Sequence, residues 1–283
     1  MTPPVAPAPL EPCIPWLLDR RIGILTGAGC STESGIPDYR GPQTRLRKRA
    51  PMQAHEFDGD PEARRRYWAR SMVGWPTIAG AQPNAGHRAL AELEREGCVE
   101  GLVTQNVDGL HTAAGSRNVV ELHGALHEVR CMTCGAITSR EALQARFEAL
   151  NPGFLHHAVG VAPDGDADLP AELVAEFVVA PCAACGGVLK PNVVFFGENV
   201  PNPIVTRART LLDRADVLLV VGSSLTVYSG YRFVRAAHQR GIPVVILNLG
   251  PTRGDPEACV RVDGRAGELL PHLVAALCST ASG

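Results

Sequence analysis

The chain lacks the features that mark membrane-spanning and polyanion-binding proteins. None of its apolar runs approaches the roughly 20 residues that a helix needs to cross a bilayer. Its formal net charge of -2 and pI of about 6.5 give no basic field that would attract nucleic acid or an anionic membrane. We therefore expect neither a nucleic-acid partner nor a membrane partner. The sequence leaves the oligomeric state open, with a monomer as the expectation.

A disulfide framework is also missing. Of the nine cysteines, four form two CxxC pairs, and the other five are odd in number and scattered along the chain: Cys13, Cys30, Cys98, Cys259 and Cys278. No positively charged, apolar leader precedes them. Since unpaired thiols persist in reducing compartments, the expected location is the cytoplasm.

The two CxxC pairs predict one structural zinc ion. The ligands are Cys131, Cys134, Cys182 and Cys185. A two-residue gap lets both thiolates of a pair reach one ion, and four thiolates complete a tetrahedral zinc site. Because such a site has no open position, we expect the chemistry of this protein to happen elsewhere.

Around the cysteines, short apolar runs alternate with amphipathic segments. The predicted strands are 21–26, 99–106, 119–123, 193–196, 216–222 and 242–250, and the predicted helices are 87–96, 140–150, 202–214 and 229–240. This alternation indicates an α/β fold with a doubly wound, Rossmann-like parallel sheet, into which a smaller zinc-binding module is inserted. The predicted units are a disordered proline-rich tail (1–15), a Rossmann-like domain (16–124 and 190–283) and a zinc-binding module (125–189).

A glycine turn follows the first predicted strand. Gly27, Ala28 and Gly29 would let backbone amides approach a pyrophosphate at a helix N-terminus, with Ser31 and Thr32 as helix caps. Thr32 stands where the third glycine of GxGxxG belongs, so an ordinary strand-to-helix turn is the alternative.

The next segment adds an acid, an aromatic ring and a guanidinium. Asp38, Tyr39 and Arg40 follow Pro37, and this rigid turn could fold over a bound cofactor. The alternative is a surface turn with an ion pair between Asp38 and Arg40.

Polar side chains also follow the later strands, at the sheet edge where ligands of α/β proteins bind. Asn106 could hydrogen-bond a carboxamide and Asp108 could accept from its NH2 group, as nicotinamide would require, although turn chemistry is the alternative. His123, at the end of a strand, is a candidate general base. Phosphate and ribose could bind Gly222, Ser223, Ser224, Asn248, Leu249 and Gly250, unless these form ordinary loops.

Taken together, these motifs resemble the sirtuin family of NAD-dependent protein lysine deacylases. The resemblance covers residues 21–270 and rests on segments 27–40, 104–111, 122–124, 191–198 and 222–224, on Asn248 and on both cysteine pairs. The long spacing between the pairs, together with 66–70, 73–76 and 227–232, resembles the class II branch, to which mitochondrial sirtuin 4 belongs.

The resemblance implies NAD as co-substrate and an acyl-lysine protein or peptide as substrate. His123, Asn106 and Asp108 would be catalytic, and nicotinamide is released as the acyl group passes to the ribose, giving 2′-O-acyl-ADP-ribose. It implies that NAD contacts Gly27, Ala28, Gly29, Asp38, Tyr39, Arg40, Gln105, Asn106, Val107, Asp108, Gly222, Ser223, Ser224, Asn248, Leu249, Gly250 and Ala266.

Other activities stay open. Within the same fold, protein mono-ADP-ribosyl transfer and removal of lipoyl or long-chain acyl groups are the alternatives. A zinc-ribbon interaction module without turnover is disfavoured, since Arg140 and Arg146 are the only Lys or Arg residues between Cys131 and Cys185. A dehydrogenase would leave the group of Asn106, Asp108 and His123 unexplained.

Overall fold

The computed structural model describes residues 10–38, 51–157 and 169–278. The strands are β1 (Ile22–Thr26), β2 (Val99–Thr104), β3 (Val119–Glu121), β4 (Gly124–Cys131), β5 (Ile137–Ser139), β6 (Leu189–Val193), β7 (Val217–Val221), β8 (Val244–Leu247) and β9 (Val260–Val262). The α-helices are α1 (Ile14–Leu17), α2 (Ala54–Gly59), α3 (Pro61–Gly80), α4 (Ala85–Arg95), α5 (Leu110–Ala113), α6 (Arg140–Leu150), α7 (Ala171–Glu176), α8 (Asn202–Leu212), α9 (Tyr228–Gln239) and α10 (Ala266–Cys278). None of these helices is long and apolar enough to cross a membrane.

The larger sheet has six parallel strands in the order β3-β2-β1-β7-β8-β9. Counted within this sheet alone, the order is the 3-2-1-4-5-6 of a Rossmann fold, so the predicted fold class is confirmed. The chain direction across the sheet reverses between β1 and β7. The carboxyl ends of these two strands therefore form the topological switch point, where ligands of such sheets bind.

Every residue of β1, β7 and β8 is buried, because helices cover both faces of the sheet. On one face, Ile22 and Leu219 pack with Leu270 of α10 and Leu90 of α4. On the other face, Leu25 and Val220 pack with side chains of α8 and α9. The uninterrupted apolar runs of the sequence thus become the central strands.

A second, antiparallel sheet with the order β5-β4-β6 forms the core of a smaller unit. The helix α3 packs against it, and Trp68 Nε1 donates a hydrogen bond of 3.2 Å to the carbonyl oxygen of Leu189 in β6. Arg140 is 1% exposed, and its guanidinium lies over the rings of Trp68, Trp75 and Phe147. The charge is held by aromatic faces and by the carbonyl oxygen of Ser71.

The predicted tail is too long. Leu10 and Cys13 are fully buried and α1 packs with them on the large sheet's core, because the apolar side chains among the prolines gain more from burial than from solvent. Residues 1–9 lie outside the described residues. The domain boundaries at 124/125 and 189/190 stay a prediction. Helices α2 and α3 precede the first boundary in sequence, yet their side chains share a hydrophobic core with the small sheet.

Two local predictions are wrong. No α-helix begins at Ser31 or Thr32, since residues Ala28–Cys30 and Thr32–Ser34 form two short 3-10 turns and the Ser31 side chain caps neither. The strand predicted at 193–196 is not formed, because only Val193 lies in a strand, as the last residue of β6, and β6 belongs to the small sheet. The remaining predicted helices and strands are present, with ends that differ by at most three residues.

Asn84 joins α4 to the turns that follow β1. Its Oδ1 accepts from the backbone N–H groups of Gly86 and His87, while its Nδ2 donates to the carbonyl oxygen of Cys30 at 2.8 Å and to Ser34 Oγ. We expect Asn84→Ala to lower the free energy of unfolding by about 2–4 kcal/mol, since a cap is worth about 1 kcal/mol and buried partners are left unsatisfied. Denaturant unfolding measures this.

The control is Ser139→Ala at the exposed N-cap of α6, where a loss of about 1 kcal/mol is expected. Equal losses in the two variants would mean that the contacts of Asn84 Nδ2 contribute nothing.

Candidate active site and zinc centre

The loops that follow β1 and β7 touch at the topological switch point. The N–H of Gly29 donates to the carbonyl oxygen of Gly222 at 2.8 Å. A Cβ atom on Gly29 would lie 2.9 Å from that oxygen, and one on Gly27 would lie 2.7 Å from Ser223 Cβ. Gly222 has a φ of 60°, and a Cβ there would overlap the backbone of Cys30. Glycine is therefore required for the close approach of these two loops.

Ser31, which the sequence suggested only as a helix cap, is the shared partner of several buried polar groups. Its hydroxyl donates to Asp108 Oδ2 at 2.7 Å and accepts from Asn106 Nδ2 at 3.0 Å. His87 Nδ1 faces the backbone N–H of Asn84 and so accepts from it, which puts the ring proton on Nε2, 3.3 Å from Ser31 Oγ. Burial lowers the pKa of His87 to about 4.

This network fixes Asn106 and Asp108, both of which were predicted. Asn106 Nδ2 also donates to the carbonyl oxygen of Gly27, and Asp108 Oδ1 accepts from the N–H of Leu110. With its two amide hydrogens engaged, Asn106 has its oxygen available as an acceptor. Each carboxylate oxygen of Asp108 accepts one hydrogen bond and has capacity for another. Both residues are thus oriented for a polar ligand such as a carboxamide.

His123 is held in one tautomer. Its Nδ1 lies 2.9 Å from the carbonyl oxygen of Gln105, which can only accept, so Nδ1 carries the proton. Nε2 is then the basic nitrogen and accepts from Ser229 Oγ at 2.8 Å. Burial, and to a smaller extent the charge of Arg232, lower the pKa of His123 below its ordinary value, while the hydrogen bond that Nδ1–H donates to the carbonyl oxygen of Gln105 opposes them. The imidazole is therefore a neutral base at physiological pH.

Gln105 connects His123 with the switch point. Its side-chain Nε2 donates to the carbonyl oxygen of Thr26 at 3.1 Å and to Ser223 Oγ at 2.8 Å. The same residue thus holds the loop after β7 with its side chain and the ring of His123 with its backbone. These contacts place the predicted base and the predicted glycine loops next to one another.

The remaining predicted cofactor residues lie at the same sheet edge but make fewer contacts there. Asn248 Nδ2 donates to the carbonyl oxygens of Leu249 and Gly250, Ser224 Oγ lies 3.1 Å from Thr226 Oγ1, and Val107 packs with a small apolar cluster. Ala266 begins α10, where the N–H of Gly267 donates to Glu33 Oε2. Asp38 is the last described residue before a gap, and Tyr39 and Arg40 lie outside the described residues. The assignment of these residues to NAD stays a prediction.

Ser31, His87 and Ser229 were missed as site residues. The sequence signals were slight: Ser31 stands two residues after the second glycine, and His87 lies three residues beyond the capping Asn84. Ser229 belongs to the segment that supported the class II resemblance, but no pattern indicated that its hydroxyl would meet an imidazole from residue 123.

The four paired cysteines meet at the end of β4 and before β6. Sulfur atoms lie 3.6 Å apart for Cys131 and Cys185 and 3.9 Å apart for Cys134 and Cys182, and all four lie within 4.8 Å of one another. A tetrahedral ion with Zn–S bonds of about 2.3 Å places its sulfurs about 3.8 Å apart. The donor set and its spacing therefore fit one structural Zn²⁺.

The predicted zinc ligands have a direct test. Cys134→Ser removes one of four thiolates, so we expect the protein to lose one zinc ion per chain and the small sheet to unfold, because structural zinc contributes on the order of 10 kcal/mol to folding. Zinc analysis and near-UV circular dichroism measure the two effects. The exposed Cys259 is the control, and Cys259→Ser should change neither. Full zinc content in the Cys134 variant would contradict the assignment.

Comparison with known proteins assigns the arrangement to a family. The profile of the Sir2 family matches residues 27–229. The "NAD-dependent protein deacetylase 1" of Mycobacterium avium is 57% identical over 91% of this chain and 92% of its own length. The "NAD-dependent protein lipoamidase sirtuin-4, mitochondrial" of Bos taurus is 52% identical over 90% and 82%. The solved structure of Sir2 with a p53 peptide and NAD+ superposes with a TM-score of 0.72 at 31% identity, covering 93% and 96%.

Proposed function

Because the chain belongs to the Sir2 family, the sirtuins, we propose that it is an NAD-dependent protein lysine deacylase. The observation that carries this proposal is the orientation of His123. Its basic nitrogen contacts the rotatable hydroxyl of Ser229, beside glycine loops that are typical of nucleotide sites. The buried group of Asn106, Ser31 and Asp108 supports it, since it offers an amide oxygen and a carboxylate to a carboxamide.

In the overall reaction the acyl oxygen attacks the ribose carbon as nicotinamide leaves, the ribose 2′-oxygen then attacks the acyl carbon, and one water molecule is consumed as the acyl C–N bond breaks. The products are nicotinamide, free lysine and 2′-O-acyl-ADP-ribose. The protein orients the two substrates and moves one proton. Nε2 of His123 accepts a proton from a ribose hydroxyl, and the carbonyl oxygen of Gln105 stabilises the resulting imidazolium through Nδ1–H. The hydroxyl of Ser229, which occupies Nε2 in the free enzyme, rotates away when the ribose binds.

The acyl-lysine peptide binds as an extended strand next to the segment that follows β6. The N–H of Val194 donates to the carbonyl oxygen of His123, so this segment runs beside the catalytic residue. Glu198 accepts from the N–H of Phe195 at 2.6 Å and from Lys190 at 2.9 Å, which holds the segment in place. Strand addition at such an edge supplies affinity through backbone hydrogen bonds.

The first test is nicotinamide release from NAD in the presence of acyl-lysine peptides. We expect His123→Ala to reduce kcat by about 10²–10⁴-fold, the usual contribution of a general base. The control is His238→Ala, an exposed histidine on α9, which should retain wild-type activity. Unchanged turnover in the His123 variant would exclude this histidine as the base.

The acyl group is identified by running the same assay over acetyl, succinyl, lipoyl and long-chain acyl peptides. Lipoyl-lysine is the second candidate substrate, because a relative that is 52% identical is a lipoamidase. Mono-ADP-ribosyl transfer predicts ADP-ribose attached to a protein without deacylated lysine. Mass spectrometry of peptide and protein products distinguishes the two activities.

The pH dependence of kcat/KM gives a second, independent test of His123. The acid limb of this profile is the range in which kcat/KM falls as the pH decreases. A base must be neutral, so kcat/KM falls as pH drops through the pKa of His123, which lies below its ordinary value of 6.5. Arg232→Gln removes a positive charge that lowers this pKa, and the limb should therefore move to higher pH. Arg235→Gln, an exposed position on the same helix, should leave the limb in place. A limb that does not move on Arg232→Gln would mean that another group controls it.

The proposed location of the active protein is the cytoplasm, which is a reducing compartment. None of the nine cysteines, all of which the structure describes, forms a disulfide bond, and a four-thiolate zinc site requires reduced cysteines. Oxidation of the paired thiols would release the ion.

A further inference from the structure

A second group of metal-ligating side chains lies beneath the loop after β1, apart from the four paired cysteines. One ligand atom each of Cys30, His87 and His111 lies within 4.8 Å of the other two. The three residues come from a 3-10 turn, from α4 and from α5, and they are 0%, 0% and 2% exposed. The rings of the two histidines are 4.7 Å apart.

One nitrogen of this group is buried without a partner. Thr26 Oγ1 donates to Thr104 Oγ1 at 2.8 Å, so His111 Nε2, which lies 2.9 Å from Thr26 Oγ1, must be the donor to it. His111 Nδ1 then carries a lone pair, and it has no hydrogen-bond partner among the described residues. A buried, unpaired acceptor beside a thiol and a second imidazole is a costly arrangement unless a ligand occupies it.

The charges around the group favour a cation. Burial keeps both imidazoles neutral, so their nitrogens are available as metal ligands. Burial raises the pKa of the Cys30 thiol, and the carboxylates of Asp108 and Glu33 raise it further, so their negative charge favours a cation beside it.

We propose that Cys30, His87 and His111 form a second metal site, which takes a soft or borderline cation such as Zn²⁺, Cd²⁺ or Cu⁺. Two imidazoles and one thiolate are the donors that such ions prefer, whereas Mg²⁺ and Ca²⁺ require oxygen ligands. Binding forms one metal–sulfur and two metal–nitrogen bonds and releases the proton of the Cys30 thiol to solvent.

Binding has a cost at His87 that links this site to catalysis. If His87 binds the ion through Nε2, its ring proton moves to Nδ1, and the contacts of 3.3 Å with Ser31 and with the N–H of Asn84 are lost. Ser31 is the shared partner of Asn106 and Asp108. The ion therefore inhibits NAD turnover, a consequence that rests on the proposed function, whereas binding itself does not.

Metal stoichiometry tests the site without any activity assay. Purified wild-type protein is incubated with a small excess of Zn²⁺ or Cd²⁺ under reducing conditions, freed of unbound ion by gel filtration, and analysed for metal per chain. We expect two ions in the wild type and one in Cys30→Ala. The matched control is Cys13→Ala, which removes another fully buried thiol of the same core and should leave two ions.

A single ion in the wild type overturns the proposal, and so does a second ion that persists in Cys30→Ala. The wild-type measurement decides the matter even if a variant fails to fold. In the activity arm, Zn²⁺ should slow nicotinamide release by the wild type roughly tenfold, the size expected when a buried charged group loses a hydrogen-bonded support, and Cys30→Ala should resist it. Two bound ions without inhibition would retain the site and reject its effect on turnover. Inactivity of protein that carries only the zinc ion of the four paired cysteines would instead reject the proposed function.

Discussion

The contact between the loops after β1 and β7 is the constraint on which the site depends. Two parallel strands end side by side at the centre of the sheet, and the N–H of Gly29 meets the carbonyl oxygen of Gly222. Side chains at these glycines would force the loops apart. Since Gln105 is anchored to both Thr26 and Ser223, separation of the loops would also release the carbonyl group that orients His123.

The small sheet contributes to the proposed catalytic site by positioning His123. His123 lies between β3, the edge strand of the large sheet, and β4, the central strand of the small one. Gly124 follows with a φ of 78°, and a Cβ atom there would overlap the backbone of Asn192, so the turn out of the large sheet requires glycine. The carbonyl oxygen of His123 accepts from Val194 just after β6. A zinc ion that stabilises β4 and β6 thereby fixes the backbone of His123, the proposed base, without touching a substrate.

Much of the fold could be predicted from the sequence because its signals are local. The wholly apolar runs that became β1, β7 and β8 specify buried parallel strands, and the cysteine spacing specified a four-sulfur cluster. The 20-residue helix α3 was not predicted, since Gly74 and Pro76 interrupt its helical pattern. Its aromatic residues also pack in the core of the small sheet and not against the large one. The role of Ser31 escaped too. Its partners at positions 87, 106 and 108 come together only when three chain segments pack.

The same reasoning explains why residue type alone cannot identify the base among the histidines. His87, His111 and His123 all border the carboxyl edge of the large sheet, and burial lowers the pKa of each. The three histidines differ in what surrounds the basic nitrogen of the ring. The basic nitrogen of His87 is occupied by a fixed backbone N–H, and that of His111 is enclosed in the core. The basic nitrogen of His123 instead accepts from the hydroxyl of Ser229, and both residues are partly buried. This hydroxyl can rotate aside so that a ribose hydroxyl takes its place. His123 is therefore proposed as the base because the group that contacts its basic nitrogen can move away. Only the packed structure shows which group that is.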